Sequence, residues 1–299
     1  MYDISIIIPS HNRSKLLKKT LQLLNEQIYP RHRFEAIVVD DGSTDDTEKT
    51  ANEAQNSVDY KLKYIKQAPR GPASARNKGI KESASDFVLF TGDDIFPAKN
   101  LIEQHITSLR QHPEAAVLGF VGWSKEQEVT DFMHYLAPNG FQFRYGTIKN
   151  PDDCGFRHFY TSNISLAKKW LKEELFDEGF PYGALEDAEL SYRLKKRGLR
   201  IIFNNKAIGY HFHPMTVESF CHRMRLTGVS SAIMLKKHPE LKPILLPINR
   251  TAAGIIFSIP IKIPFMEKIN KRFYWYCRVV NSYLEGIKEG LAKKIPTTT

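Results

Sequence analysis

Four short apolar runs that each end in a polar or acidic turn constrain this chain more than any other feature. They are ISIIIP (4–9), FEAIVVDD (34–41), KLKYIK (61–66) and FVLFTGDD (87–94). The first two and the last are continuous and rich in β-branched residues, the mark of strands buried on both faces. Between them lie helical patterns. Leu17, Leu21, Leu24 and Ile28 form one apolar stripe, STDDTEKTANEAQ opens with hydroxyls and acids, and GPASARNKGIKES carries Pro72 in its first turn. Strands alternating with helices predict βαβ units and a mostly parallel sheet. In such sheets ligands bind beyond the carboxyl ends of the strands. The pairs Asp40–Asp41 and Asp93–Asp94 follow strands directly, so both are expected on that rim.

Adjacent carboxylates repel, and the arrangement costs free energy unless a cation or a network of donors offsets it. A turn is the plain reading of Gly92-Asp93-Asp94; a divalent cation held at a strand end is the chemical one. A third acidic pair, Glu186–Asp187, opens LEDAELSYRLKKRG, a helix with acids first, Lys and Arg last and Gly198 as its stop. Beside these lie the basic stretches HNRSK and APRGPASARNK, a setting for a metal and a phosphorylated ligand.

Further along, Pro97 is expected to open a helix, AAVLGFVGW (115–123) and HFYTSNISL (158–166) to form strands, AKKWLKEEL a helix, and LRIIFN with KAIGYH a hairpin. Residues 124–160 read as a short helix and a long loop acting as a lid. From Thr216 the pattern is helical and basic.

The chain has 299 residues and a net charge of +10, which points to anionic partners. From Arg250 onward there are nine Lys and Arg against three Glu. Zinc-finger spacing and RNP-like aromatics are both missing, so nucleic acid is not an expected partner. Three cysteines without a Cys-x-x-Cys pair argue against structural zinc and for a reducing compartment. The start MYDISIIIPSHN lacks the basic region of a signal peptide, and AAGIIFSIPI (252–261) is too short to span a bilayer.

The blocks SIIIPSHNR, VVDDGSTDDT, RGPASARNKGI, FVLFTGDDIFP and LEDAELSYRLKKRG, in this order, resemble the family 2 glycosyltransferases of the GT-A fold. The resemblance covers residues 4–215. It implies an α/β, Rossmann-like, mixed and mostly parallel sheet flanked by helices, forming a catalytic domain at 1–215. Beyond the resemblance, the residues at 216–299 are expected to form a helical, basic C-terminal extension for acceptor or membrane contact. The resemblance implies transfer of a single sugar, with inversion, from a nucleoside-diphosphate donor, with uridine the usual base, to an acceptor hydroxyl in polysaccharide or glycolipid assembly.

By the same resemblance, Pro9, His11, Arg13, Asp40, Asp41, Arg76, Asp93 and Asn163 contact the nucleotide or donor sugar. Asp94 and His211 bind Mn2+ or Mg2+, with His213 as the alternative to His211. Asp187 is the catalytic base and Glu186 positions sugar or acceptor. Gly92 stands where many members carry the first Asp of an Asp-x-Asp motif. The partners implied are a nucleotide sugar and a glycan or lipid-linked acceptor. Apart from the resemblance, FSIPIKIPFMEKINKRFYWYCRVV mixes Lys and Arg with aromatic rings, which points to an anionic membrane surface at the cytoplasmic face. A sugar-1-phosphate nucleotidyltransferase is the competing enzyme, disfavoured because PSHNR is not a Gly-rich phosphate loop. A membrane-associated protein that binds sugar nucleotides without turnover is the non-enzymatic alternative.

Overall fold

The computed structural model describes residues 2–246, 250–263 and 265–292; residues 293–299 of the basic tail, and the side chains of 250–255, lie outside the described set. The chain divides into two compact units. One comprises 1–178 and 187–214, the other 179–186 and 215–299. Residues 179–186, expected in the first domain, group with the second unit.

The first unit is built on an eight-stranded sheet in the order β3-β2-β1-β4-β7-β6-β8-β5. Its strands are β1 Ile4–Ser10, β2 Phe34–Asp40, β3 Lys61–Lys66, β4 Phe87–Thr91, β5 Ile95–Pro97, β6 Ala115–Trp123, β7 Asn163–Ala167 and β8 Arg200–His211. β3, β2, β1 and β4 are mutually parallel, as the apolar runs require. β7 enters antiparallel to both β4 and β6, and β5 pairs antiparallel with β8. Successive side chains of β1 serve opposite faces: Ile4, Ile6 and Ile8 join one apolar cluster, Ile7 the other, all fully buried.

The helices α1 Ser14–Asn25, α2 Thr47–Gln55, α3 Pro72–Glu82, α4 Leu101–Gln111, α5 Asp131–Leu136 and α6 Glu186–Lys196 follow the pattern in outline. Leu17, Leu21 and Leu24 are buried, but Ile28 is exposed. The chain leaves α1 at Asn25, and the Ile28 amide bonds instead to the Lys99 carbonyl. Pro97 closes β5 rather than opening a helix. The helix expected over AKKWLKEEL shrinks to a 3-10 turn at Lys168–Leu171. The expected hairpin is the single strand β8. Its pairing with β6 breaks between Gly119 and Phe120, where Asn204 and Ile208 are consecutive partners.

That irregularity leaves backbone groups without ladder partners, and buried side chains take them. The Asn163 amide donates to the carbonyls of Phe120 (3.0 Å) and Ala207 (2.9 Å). The Tyr145 hydroxyl accepts from the Val121 amide and donates to the Gly119 carbonyl. Residues 124–160 are therefore tied to the sheet through Tyr145 and α5.

The second unit contains α7 Val217–Lys237, α8 Lys242–Leu245, α9 Arg250–Lys262, α10 Met266–Ile269 and α11 Lys271–Ala292. Thr216 and Ser219 form a reciprocal capping box at the start of α7. α7 and α11 approach backbone to backbone. A Cβ at Gly228 would run into the Tyr283 carbonyl, and one at Gly286 into that of Arg225. No described helix is long and apolar enough to cross a membrane.

Candidate active site

The pairing of β5 with β8 builds the centre of the site. Ile95 lies opposite His211, and the Phe212 amide donates to the Asp94 carbonyl at 2.9 Å. Asp94 is thereby held beside the end of β8. His211 and His213, two residues apart and so on one face of extended chain, both reach it. His211 Nε2 and His213 Nδ1 each lie 3.4 Å from Asp94 Oδ2. His211 is buried, stacked between the rings of Trp123 (5.5 Å) and His213 (5.2 Å), with Phe143 edge-on at 5.8 Å.

These three residues form the one group of three or more potential metal ligands among the described residues, with ligand atoms within 4.8 Å of one another. The spacing fits a cation. Bonds of about 2.1 Å at near-tetrahedral angles place neighbouring ligand atoms about 3.4 Å apart. Both histidines therefore qualify, where the sequence favoured His211 alone.

Asp93 accepts from Ser10 Oγ at 2.7 Å and from Arg13 Nη1 at 3.2 Å. The same Arg13 nitrogen sits 2.5 Å from Asp94 Oδ2. Burial, with the Asp94 charge added to it, pushes Asp93 up to about 6. Burial would raise Asp94 too, but the hydrogen bonds of His211 and His213 and the Arg13 charge outweigh it and hold Asp94 well below the usual carboxylate range. The two neighbouring carboxyls are thus shifted in opposite directions, Asp93 up and Asp94 down.

Gly92 has a local reason. A Cβ there would stand 2.7 Å from Asp94 Oδ1 and 3.2 Å from Ile95 Cγ1. An Asp at this position would collide with the carboxylate that the two histidines face.

The loops after β1, β2 and β3 interlock at the same ends of their strands. His11 Nδ1 lies 2.9 Å from the Asp41 carbonyl, and Pro9 is half-buried in β1 beside Val39. Asn12 holds a positive φ of 52° while its side-chain oxygen accepts from the amides of Thr44 and Asp45. Asp41 accepts at Oδ1 from Gln67 Nε2 and the Arg70 amide, and at Oδ2 from the Gly71 amide, each at 2.8 Å. Its Oδ2 retains room for one more donor. Asp40 differs: it is fully buried, taken up by the Ser43 amide and the Tyr64 hydroxyl. It closes the turn and does not open to the rim. Asn163, fully buried between Phe120, Ala207 and His105, likewise belongs to the sheet interior and not to a sugar pocket. Arg76 is half-buried on α3, its guanidinium 5.4 Å above the Phe176 ring.

Leu185, at a positive φ of 68°, leads into the buried Glu186 and the half-buried Asp187. A bulky side chain in the left-handed region costs free energy, and such strain collects at functional turns. Arg193 braces α6 by donating to Glu189, Glu174 and the Leu175 carbonyl. The Asp187 carboxylate lies close enough to Tyr160 that its charge adds to burial in pushing that phenol up to about 12. Tyr160 in turn meets Phe143 at 5.5 Å, and Phe143 meets His211. A short aromatic wall thus runs from Tyr160 through Phe143 to His211 at the Asp94 end of the rim. Trp123 and Tyr160, in stretches expected to be strands, and Phe143, in the irregular aromatic stretch between them, carried no sequence signal for the site. Sequence reading also passed over the Arg13 bridge; the alternation of His211 and His213 was the signal available for the second imidazole.

The sequence model described as glycosyl transferase family 2 matches residues 5–174. Hyaluronan synthase of Pasteurella multocida is 27% identical over 292 residues, a match covering 87% of this chain and 30% of that protein. Validoxylamine A glucosyltransferase of Streptomyces hygroscopicus subsp. jinggangensis is 26% identical over 270 residues, 80% of this chain and 62% of that one. The chain spans under two-fifths of the Pasteurella and Escherichia coli synthases it resembles. Among solved structures, the mannosyltransferase PcManGT from Pyrobaculum calidifontis, in complex with GDP-Man and Mn2+, superposes with a TM-score of 0.68 at 18% identity. That match covers 98% of this chain and 88% of the other. S. aureus TarS 1-349 in complex with UDP gives 0.57 at 18% identity, covering 97% and 91%. At these identities the likeness establishes the fold, which is the expected GT-A architecture.

Proposed function

The chain belongs to glycosyl transferase family 2, and from that premise we propose that it is an inverting, metal-dependent transferase. It moves one sugar from a nucleoside-diphosphate donor to an acceptor hydroxyl. The observation that carries this is the meeting of Asp94, His211 and His213 at one strand end, on the same rim as the Asp41 loop. Residues 1–215 are the catalytic domain in this reading, and 216–299 the extension.

Asp94, His211 and His213 would hold the cation. Two imidazoles disfavour Mg2+, which prefers oxygen ligands, and Mn2+ is the cation in the complex of the structurally similar PcManGT, so Mn2+ is the candidate. When bound, the cation supplies positive charge to the departing diphosphate. Asp41 Oδ2 has one acceptor direction left for a base N–H, and the imide of uracil suits it. His11 and Pro9 flank that position. Arg13, already paired with two carboxylates, is within reach of phosphate oxygens entering the rim.

As the anomeric C–O bond breaks, its electron pair passes to the diphosphate oxygen. The acceptor oxygen attacks from the opposite side through an oxocarbenium-like state, and its proton passes to the Asp187 carboxylate. One displacement with the base opposite the leaving group inverts the anomeric centre. Glu186 positions the sugar or acceptor. Relatives named as hyaluronan and chondroitin synthases support a glycan acceptor, free or lipid-linked, in cell-surface polysaccharide or glycolipid assembly.

The test is incubation with a panel of UDP- and GDP-sugars, Mn2+ and carbohydrate acceptors. Release of nucleoside diphosphate with an inverted product is expected. Release of pyrophosphate from a sugar phosphate and a nucleoside triphosphate would assign the chain to the nucleotidyltransferases instead. Donor binding without turnover on any acceptor would leave the binding-protein reading.

A further inference from the structure

The second unit carries an apolar surface that no described residue covers. Eleven large hydrophobic side chains are exposed among the described residues, and seven of them fall between 256 and 276. Ile256, Ile259 and Ile263 recur at helical spacing along α9 and its end; Ile269 closes α10, and Phe273 and Tyr276 stand three apart on α11. The two sets belong to elements that touch, because the Phe257 ring meets Tyr276 at 5.5 Å. Between them stands Phe265, 70% exposed and held at a positive φ of 63°. A left-handed backbone is unfavourable for phenylalanine; here it lets the Phe265 carbonyl accept from the Lys268 and Ile269 amides at the start of α10, while the ring itself stays exposed.

Charge separates the possible occupants. Lys262, Lys268, Lys271 and Arg272 are exposed around these side chains, against one acid, Glu267. The Lys268 ammonium lies 5.3 Å from the Phe265 ring. A two-fold dimer through this surface would set like charges against one another. Nucleic acid would gain phosphate contacts and stacking on Phe265, Phe273 and Tyr276, but nothing from the isoleucines, which supply four of the seven exposed side chains. A bilayer with anionic headgroups satisfies both halves: side chains enter the acyl boundary while Lys and Arg stay at the phosphates.

We propose that α9, α10, the turn at Phe265 and the start of α11 form an interfacial docking face for anionic lipid. The face binds without crossing. It does not depend on the transfer reaction proposed above, and its test reads no turnover.

The full chain is sedimented with vesicles of phosphatidylcholine alone or mixed with phosphatidylglycerol, and its oligomeric state is measured alongside. Binding to the mixed vesicles is expected, weakened but not abolished by salt. The double variant F265S/I269S should bind at least about tenfold less, because two apolar side chains no longer enter the interface. The pair K268E/K271E should lose about as much, with its melting temperature unchanged. Equal sedimentation of F265S/I269S and the parent, or binding indifferent to phosphatidylglycerol, would overturn the proposal. So would a dimer that F265S/I269S dissociates, without any vesicle binding, since the face would then be a protein interface.

Discussion

The Arg13 guanidinium sits 2.5 Å from Asp94 Oδ2, the same oxygen that His211 and His213 approach at 3.4 Å. The protein's own cation thus occupies the oxygen a metal would use. It also spans to Asp93 at 3.2 Å, so two adjacent carboxylates are held together in the absence of any other charge. For a metal to bind Asp94 fully, Arg13 must give up that oxygen, and Asp93 or a donor phosphate can receive it.

Replacing Arg13 with Gln is therefore expected to tighten binding of Mn2+ to the donor-free protein, by about tenfold for the loss of one partly screened charge pair. Titration followed by Mn2+ electron paramagnetic resonance reads this directly. Weaker or unchanged affinity would mean that Arg13 and the metal do not compete.

Gly92→Ala tests the turn. The new methyl would lie 2.7 Å from Asp94 Oδ1, and a carboxylate already held by three partners has little freedom to retreat. Weaker Mn2+ binding is expected, with a melting temperature close to that of the parent. Unaltered affinity would show that the turn can adjust without moving Asp94.

Asp187→Asn removes the proposed proton acceptor but keeps the shape and the hydrogen bond from the Ala188 amide, which is 2.7 Å long in the parent. Transfer should fall by roughly 10²–10⁴, while donor affinity measured by calorimetry stays within a few fold. Full turnover in the variant would take Asp187 out of the base role.

His105 predicts a pH dependence of stability. It is fully buried between Ser165 Oγ and Asn163 Oδ1, and burial lowers it from 6.5 to about 4. Its folded value lies below its unfolded one, so the unfolded chain takes up the proton first. Stability is complete above pH 6.5 and falls as pH drops toward 4, by about 3 kcal/mol from this residue at the low end. Urea unfolding between pH 7 and 4 should show that slope in the parent, and His105→Gln should flatten it. An equally steep slope in the variant would assign the effect to other groups.

Much of the frame was readable from the chain alone. Continuous apolar runs can be satisfied only by burial on both faces, which put β1, β2 and β4 at the centre of a parallel sheet. The acids at their ends then had to lie on one rim. What failed was local. AKKWLKEEL has good helix formers but makes only a 3-10 turn, because propensity yields to tertiary context. LRIIFNNKAIGYH reads as two strands because its middle is polar; packed beside β6 it is one strand with a break in register. Asp40 and Asn163 were expected to face the donor because the family resemblance gives their positions that role. Nothing in a linear sequence tells which of two neighbouring acids turns inward to Ser43 and Tyr64, or that an asparagine fills the gap left by a β-sheet irregularity.

The sequence by itself determined the layers, the rim and the kinds of chemistry available there, since hydrophobic periodicity and residue type are properties of short stretches. Only the tertiary structure decided which groups meet. Asp94 and His213 are 119 positions apart, and it is the antiparallel register of Ile95 against His211 that brings them to one oxygen. Register is set by the packing of the whole sheet, and a slip of one residue would turn both imidazoles to the other face.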